Sequence, residues 1–265
     1  MKFYAVTCFQ RILQRKILDM FTSLKSPAAF DLRLPALALL LCSAFSAPAQ
    51  ASGMRLETSV VVVEAADGEG VISLKNTDNE PVLLYSEIID VPEDTASLLL
   101  VTPPITRVEA GETQTVRFIL KSKEKFSTER LKRAAFEGIP QSAPNKVRVN
   151  IRQNIPVIIR PAGLAKNSEP WKLLQWSSTA QGLSVKNSGP YVVRMSQEVI
   201  LQPGAVSAVL PKNYILPGET VALSTSQSVT GIQTIKYTPA TLNGYFTDPV
   251  ETTVSAMAGN TAAPS

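Results

Sequence analysis

"NKVRVNIRQNIPVIIRPAG", Asn145 to Gly163, is the stretch whose period decides the fold. Val147, Val149, Ile151, Gln153, Ile155, Val157 and Ile159 fall on one face. Lys146, Arg148, Asn150, Arg152 and Asn154 fall on the other. A period of two means a β-strand. Its outer face is basic. It also carries Pro156, which has no amide hydrogen to give a neighbouring strand.

Upstream, similar runs alternate with turn signals. "TSVVVVEA", "VISLKN", "VLLYSEIIDV" and "LLLVTPP" are separated by "DGEG", "TDNEP" and "PEDTAS". "ITRVEAGETQTVRFILK" reads as two strands around a turn that needs Gly111. Pro103 and Pro104 remove two amide donors, so Thr102 to Pro104 makes a corner rather than an interior strand. "ERLKRAAFEGIP" fits both a helix, with Leu131, Ala134 and Ala135 on one side, and a strand. The set reads as an immunoglobulin-like sandwich over 52–160.

"RPAGLAKNSEP" follows, with a linker expected at 161–166. A second strand series, from "WKLLQWSS" through "GLSVKNSGPYVVRMSQEVIL" to "TGIQTIKYTPATLNGYFTDPVETTVS", predicts a second sandwich over 167–255. Residues 256–265 read as a flexible tail. The expected fold class is all-β, two immunoglobulin-like sandwiches in a boomerang arrangement.

Residues 1–51 read as an export leader rather than fold. Arg33 precedes an apolar run from Leu34 to Phe45, too short to span a bilayer comfortably, and Ala49-Gln50-Ala51 offers a cleavage site after Ala51. Met20 is an alternative translation start. Removing the leader's six basic and two acidic residues from totals of 26 and 22 leaves 20 of each sign. The basic balance therefore belongs to the leader, and no nucleic-acid partner is expected. Cys8 and Cys42, the only cysteines, go with it, and the chain has no histidine. That excludes a histidine general base, a Ser-His-Asp or Cys-His site and histidine-bound metal. No enzyme, cofactor or metal site is expected.

Four segments together resemble the periplasmic pilus-assembly chaperones of the chaperone–usher pathway. "LLLVTPPITRVEAGETQTVRFIL", Leu98 to Leu120, is similar to that family's hallmark segment. "FEGIP", "VIIRPAG" and "GLSVKNSGPYVV" follow in the family's order, and the likeness covers roughly 54–250. The resemblance implies a protein that binds pilin subunits by lending them a β-strand and delivers them to an outer-membrane usher. Val147, Val149 and Ile151 would be the lent side chains. A free lending edge also implies self-association.

Family members hold the client's terminal carboxylate with two basic residues, but the matching positions here are Val60 and Pro156. This points to a divergent branch, with a resemblance to the archaic type expected. Arg133 and Arg152 are the candidate replacements, with Arg148 a weaker third. An interdomain ion pair is expected between Glu129 and Arg160; Gly244 stands where the family has a third, acidic member. The alternatives are a secreted tandem immunoglobulin-like adhesin or coat-assembly module, which would bury Val147, Val149 and Ile151 in its own core, and an enzyme on a β-sandwich scaffold.

Overall fold

The computed structural model describes residues 53–121, 125–141, 150–179, 182–225 and 231–256. The leader, the tail beyond 256, and Val147, Arg148 and Val149 lie outside them.

The first series consists of β1 (Met54–Leu56), β2 (Val61–Glu64), β3 (Glu69–Asn76), β4 (Val82–Ile89), β5 (Leu99–Thr102), β6 (Ile105–Val108), β7 (Thr113–Leu120), β8 (Arg130–Pro140) and β9 (Arg152–Arg160). They run in the order β5-β7-β3-β2-β9-β8-β4-β6, with β1 on β3. All pairings are antiparallel except β2 with β9. The path folds over on itself. Ile72, Leu74, Val116 and Phe118 of β3 and β7 share one core with Val82, Leu84, Ala134 and Phe136 of β4 and β8. Phe118 and Phe136 meet edge to face, their ring centroids 6.3 Å apart.

The ambiguous segment "ERLKRAAFEGIP" yields β8, paired with β4 on one side and β9 on the other. The Pro103–Pro104 corner separates β5 from β6, and Gly111, at φ +78°, turns β6 into β7. Asn76 is fully buried at the end of β3, where its side chain donates to the carbonyls of Glu80, Val108 and Glu109 at 3.0–3.1 Å.

After Arg160 no strand forms until residue 174, and Pro170–Leu173 is a single 3-10 turn. The second series is β10 (Leu174–Thr179), β11 (Gly182–Asn187), β12 (Val193–Gln202), β13 (Val206–Val209), β14 (Tyr214–Ile215), β15 (Thr220–Ala222), β16 (Ser224–Thr225), β17 (Thr234–Pro239), β18 (Val250–Thr253) and β19 (Ser255–Ala256). Sheets β15-β11-β10-β19 and β16-β13-β12-β17-β18 enclose a core containing Trp176, Val185, Met195, Leu201 and Tyr237. Asn187 repeats the Asn76 device, donating to the carbonyls of Tyr191 and Ile215.

A third apolar cluster joins the two sandwiches. Val60, Val91, Leu131 and Ile158 of the first pack against Val192 and Tyr214 of the second. Leu131 reaches it because it points from β8 to the side opposite Lys132, Ala134 and Phe136.

Candidate functional site: the open edge of β9 and the cleft between the sandwiches

The apolar face of β9 changes its surroundings along its length. Val157 and Ile159 are fully buried in the first core, and Ile155 is nearly so. Ile151, one step before the strand, is 62 % exposed. A sandwich using this whole run as private core would bury Ile151. The pairing also changes along this stretch. The β8 ladder ends at Glu137 opposite Arg152, and β2 joins only from Val61 opposite Val157. From Arg152 to Pro156, β9 has β8 on one side and no described strand on the other. Pro156 lies on the stretch that β2 does not reach, so its missing amide costs no β2 ladder bond.

The open stretch ends in a cavity of about 280 Å³ between the sandwiches. Asn154, Ile155 and Pro156 line it from β9, Arg133 from β8, Arg194 from β12, and Phe246 stands at its rim. Arg133 lies opposite Pro156 in the ladder, and its Nε and Nη2 donate to the side-chain and backbone oxygens of Asn154 at 2.6 and 2.9 Å. None of the residues lining the cavity is acidic. Val60 is buried in the interdomain cluster, out of reach of any anion. Of the two candidate anchors, Arg133 is in the cleft. Arg152 is not among its lining residues and pairs instead with Glu87 of β4.

Two polar links flank the apolar contact. Glu129, just before β8, is buried; Arg160 Nε donates to one of its oxygens at 3.1 Å and the Val192 amide to the other at 2.9 Å. Arg160 Nη1 also pairs with Glu64 at 2.8 Å. Burial pushes the Glu129 carboxyl above its ordinary value, with the Val192 amide and Arg160 opposing. The third partner of this set is a backbone amide of the second sandwich, which is why no acidic residue is needed at 244. Gly244 serves another purpose. At φ +86° it lies so close to the first sandwich that a Cβ there would sit 2.4 Å from Ser59 Oγ.

The second link was not foreseen from the sequence. Glu93, in the loop after β4, pairs with Lys212 and accepts from the Tyr214 hydroxyl at 2.9 Å. Lys212 also pairs with Glu219 at 2.6 Å. Burial opposes ionisation of Glu93, but the donors from Lys212 and Tyr214 outweigh it and hold the carboxyl below its ordinary value. Arg194 was likewise missed. It occupies an ordinary polar position in an alternating strand, and nothing local links it to Arg133.

Two immunoglobulin-like sandwiches with an open-edged strand leading into a cationic cleft define a class of strand-binding, two-domain proteins. The comparisons make the class specific. Residues 53–165 match the family described as pili and flagellar-assembly chaperone, PapD N-terminal domain. Residues 169–245 match the family described as pili assembly chaperone PapD, C-terminal domain. The chain belongs to the pili assembly chaperone family, whose fimbrial chaperones are periplasmic.

Among its relatives is the uncharacterized fimbrial chaperone YhcA of Escherichia coli (strain K12), 40% identical over 200 residues, covering 74% of this chain and 88% of the relative. The chaperone protein MrkB of Klebsiella pneumoniae is 26% identical, covering 71% of this chain and 92% of the relative. The fold is shared with the SafB chaperone solved with Salmonella enterica SafA pilin, at TM-score 0.64 and 20% identity over 77% of this chain and 97% of the other. It is also shared with the Pseudomonas aeruginosa CupB2 chaperone, at TM-score 0.61 and 23% identity over 76% and 100%. These likenesses favour a chaperone over a tandem immunoglobulin-like adhesin or coat-assembly module.

Proposed function

We propose that this protein is exported to the periplasm, with cleavage after Ala51, and there binds pilin subunits by lending them a strand. Val147, Val149 and Ile151 provide the lent side chains. The complex is then delivered to an outer-membrane usher. The observation that carries this reading is Ile151, exposed at the start of the unpaired edge of an otherwise buried apolar face. A client lacking one strand would cover that edge with backbone hydrogen bonds and take the alternate side chains into its groove. Each apolar side chain fully buried this way contributes about 1.5–3 kcal/mol. Arg133, in the cleft at the end of the open edge, is the residue assigned to the client's terminal carboxylate. Among relatives, SafB was solved in complex with a pilin.

The test is co-expression with a pilin subunit from the same fimbrial operon, followed by co-purification. Wild type is expected to retain the subunit. Val149→Asp places a charge in the client's apolar groove and should reduce complex yield at least about tenfold, the equivalent of one lost apolar anchor. Undiminished yield from Val149→Asp rules out strand lending.

A further inference from the structure

We infer that Arg152 is a positioning residue for the lent strand: its ion pair with Glu87 reaches across β8 to β4 and fixes the open-edged stretch of β9 before a client arrives. The inference rests on the strand-lending reading above and adds to it the device that holds the lent strand in shape.

A strand paired on one side only needs a second restraint if it is to be a good donor. From Arg152 to Pro156, β9 has β8 on one side and no described strand on the other. The β8 ladder ends at Arg152, one residue after the exposed Ile151. Whatever freedom this stretch keeps in the free protein is lost when a client pairs with it, and that lost entropy weakens binding. A stretch already held in the extended shape loses less.

The polar face of the stretch supplies the restraint. Asn150, Arg152 and Asn154 alternate along it, and each is tied to a neighbouring strand. Asn150 Nδ2 donates to Glu137 Oε1 of β8 at 3.2 Å. Asn154 Oδ1 accepts from Arg133 Nε of β8 at 2.6 Å. Arg152 reaches further. It stands opposite Glu137 in the ladder but pairs with Glu87, which belongs to β4 on the far side of β8. Adjacent strands lie about 4.8 Å apart, so this contact spans about 10 Å of sheet.

Two features of the sheet permit so long a contact. Ala135 stands between Glu87 and Asn154 in register, and its small side chain leaves the path across β8 clear. Tyr85, two residues before Glu87, donates its hydroxyl to Glu87 Oε2 at 2.8 Å, while Oε1 takes Arg152. With one oxygen held by Tyr85, the carboxylate stays turned toward β9. Arg152 is half-exposed and Glu87 less so, and a pair of this kind adds little to global stability. Its effect is local. It joins a stretch with one neighbour to β4, which has β8 and β6 on its two sides.

The test reads the strand and the client separately. Hydrogen exchange in the free mature chain is followed by NMR at the β8-bonded amides of residues 152–155, with β3 and β12 as internal references. Arg152→Ala and Glu87→Ala should each speed exchange at 152–155 by about fivefold, the upper limit for a partly exposed ion pair, and leave the references unchanged. The double variant should add nothing, since both substitutions remove one contact. Arg152→Lys should keep part of the protection. Retention of the co-expressed pilin subunit should fall by about threefold in each single variant and no further in the double. Unchanged exchange at 152–155, or an equal change in the references, overturns the inference. Faster exchange with undiminished retention also overturns it, because the restraint then has no bearing on lending. Additive losses of retention overturn it as well, since they mean that Arg152 and Glu87 touch the client independently. A wild type that retains no subunit removes strand lending, and this inference with it.

Discussion

Lys132 has no exposed surface, yet it lies on the inward face of β8 with Ala134 and Phe136. A buried ammonium is tolerated only when its donors are used. Here Nζ reaches Asp90 Oδ1 at 2.8 Å, the Asp94 carbonyl at 2.5 Å and Asp94 Oδ1 at 3.1 Å. Arg130 grips Asp94 through Nε and Nη2, both at 2.6 Å. Burial alone would raise the Asp94 carboxyl, but these donors outweigh it and hold it below the ordinary 3.8. Asp94→Asn should therefore destabilise the protein by about 3 kcal/mol, since the buried cation loses half its charge compensation. A depressed carboxyl stabilises fully above its unfolded value and loses that effect as pH falls through the folded value. The gap in urea midpoint between wild type and Asp94→Asn should be widest near neutrality and close below about pH 3.8. A gap constant down to strong acid contradicts the assignment. In the sequence, Lys132 looks like any charge in a polar run, because its partners come from a loop some forty positions earlier.

At the scale of elements, β8 shows why one segment resisted assignment. It is sandwiched between β4 and β9 and buried on both faces, with Leu131 and Ala135 on one and Ala134 and Phe136 on the other. Burial on both sides erases the alternation that reveals a half-exposed strand. β9 was easier to read because the outer face of its first half, Arg152 and Asn154, is polar and exposed. Its open edge has a consequence for the unliganded protein. An unpaired edge next to an exposed isoleucine is a template for another chain, including a second copy of this one. Concentration-dependent association should be seen by sedimentation, and Ile151→Asp should weaken it. A strictly monomeric wild type at high concentration would show that the edge is protected.

At the scale of the whole molecule, the sandwiches are joined by an apolar cluster with a carboxylate link on each side, and the two links respond oppositely to acid. Glu129 is raised by burial above the ordinary 4.5, so its contribution is present below that value and is lost as pH rises through its folded value. Glu93 is held below 4.5, so its contribution is present above that value and is lost as pH falls. Glu93→Gln should loosen the interface while leaving both cores intact. Its exposed share of surface keeps the expected loss near 1 kcal/mol, which is about a fivefold faster hydrogen exchange at the Val192 amide. No change at that amide would show that the Glu93 link does not restrain the interface.

The sequence by itself determined the two strand series, the proline corner, the glycine turn at 111 and the apolar stripe leading to Arg160. These depend on period, missing amides and local side-chain bonding, all of which act over a few residues. It also excluded histidine chemistry by composition. Only the tertiary structure decided what surrounds the stripe. Ile155, Val157 and Ile159 pack into the apolar core of the first sandwich, while Ile151, beyond the last β8 pair and beyond the reach of β2, is exposed. Likewise, only the packing of two domains brings Arg133 and Arg194 to one acid-free cavity and sets Arg152 aside with Glu87. A charge seen in sequence says nothing of its partner when that partner is folded in from another sandwich.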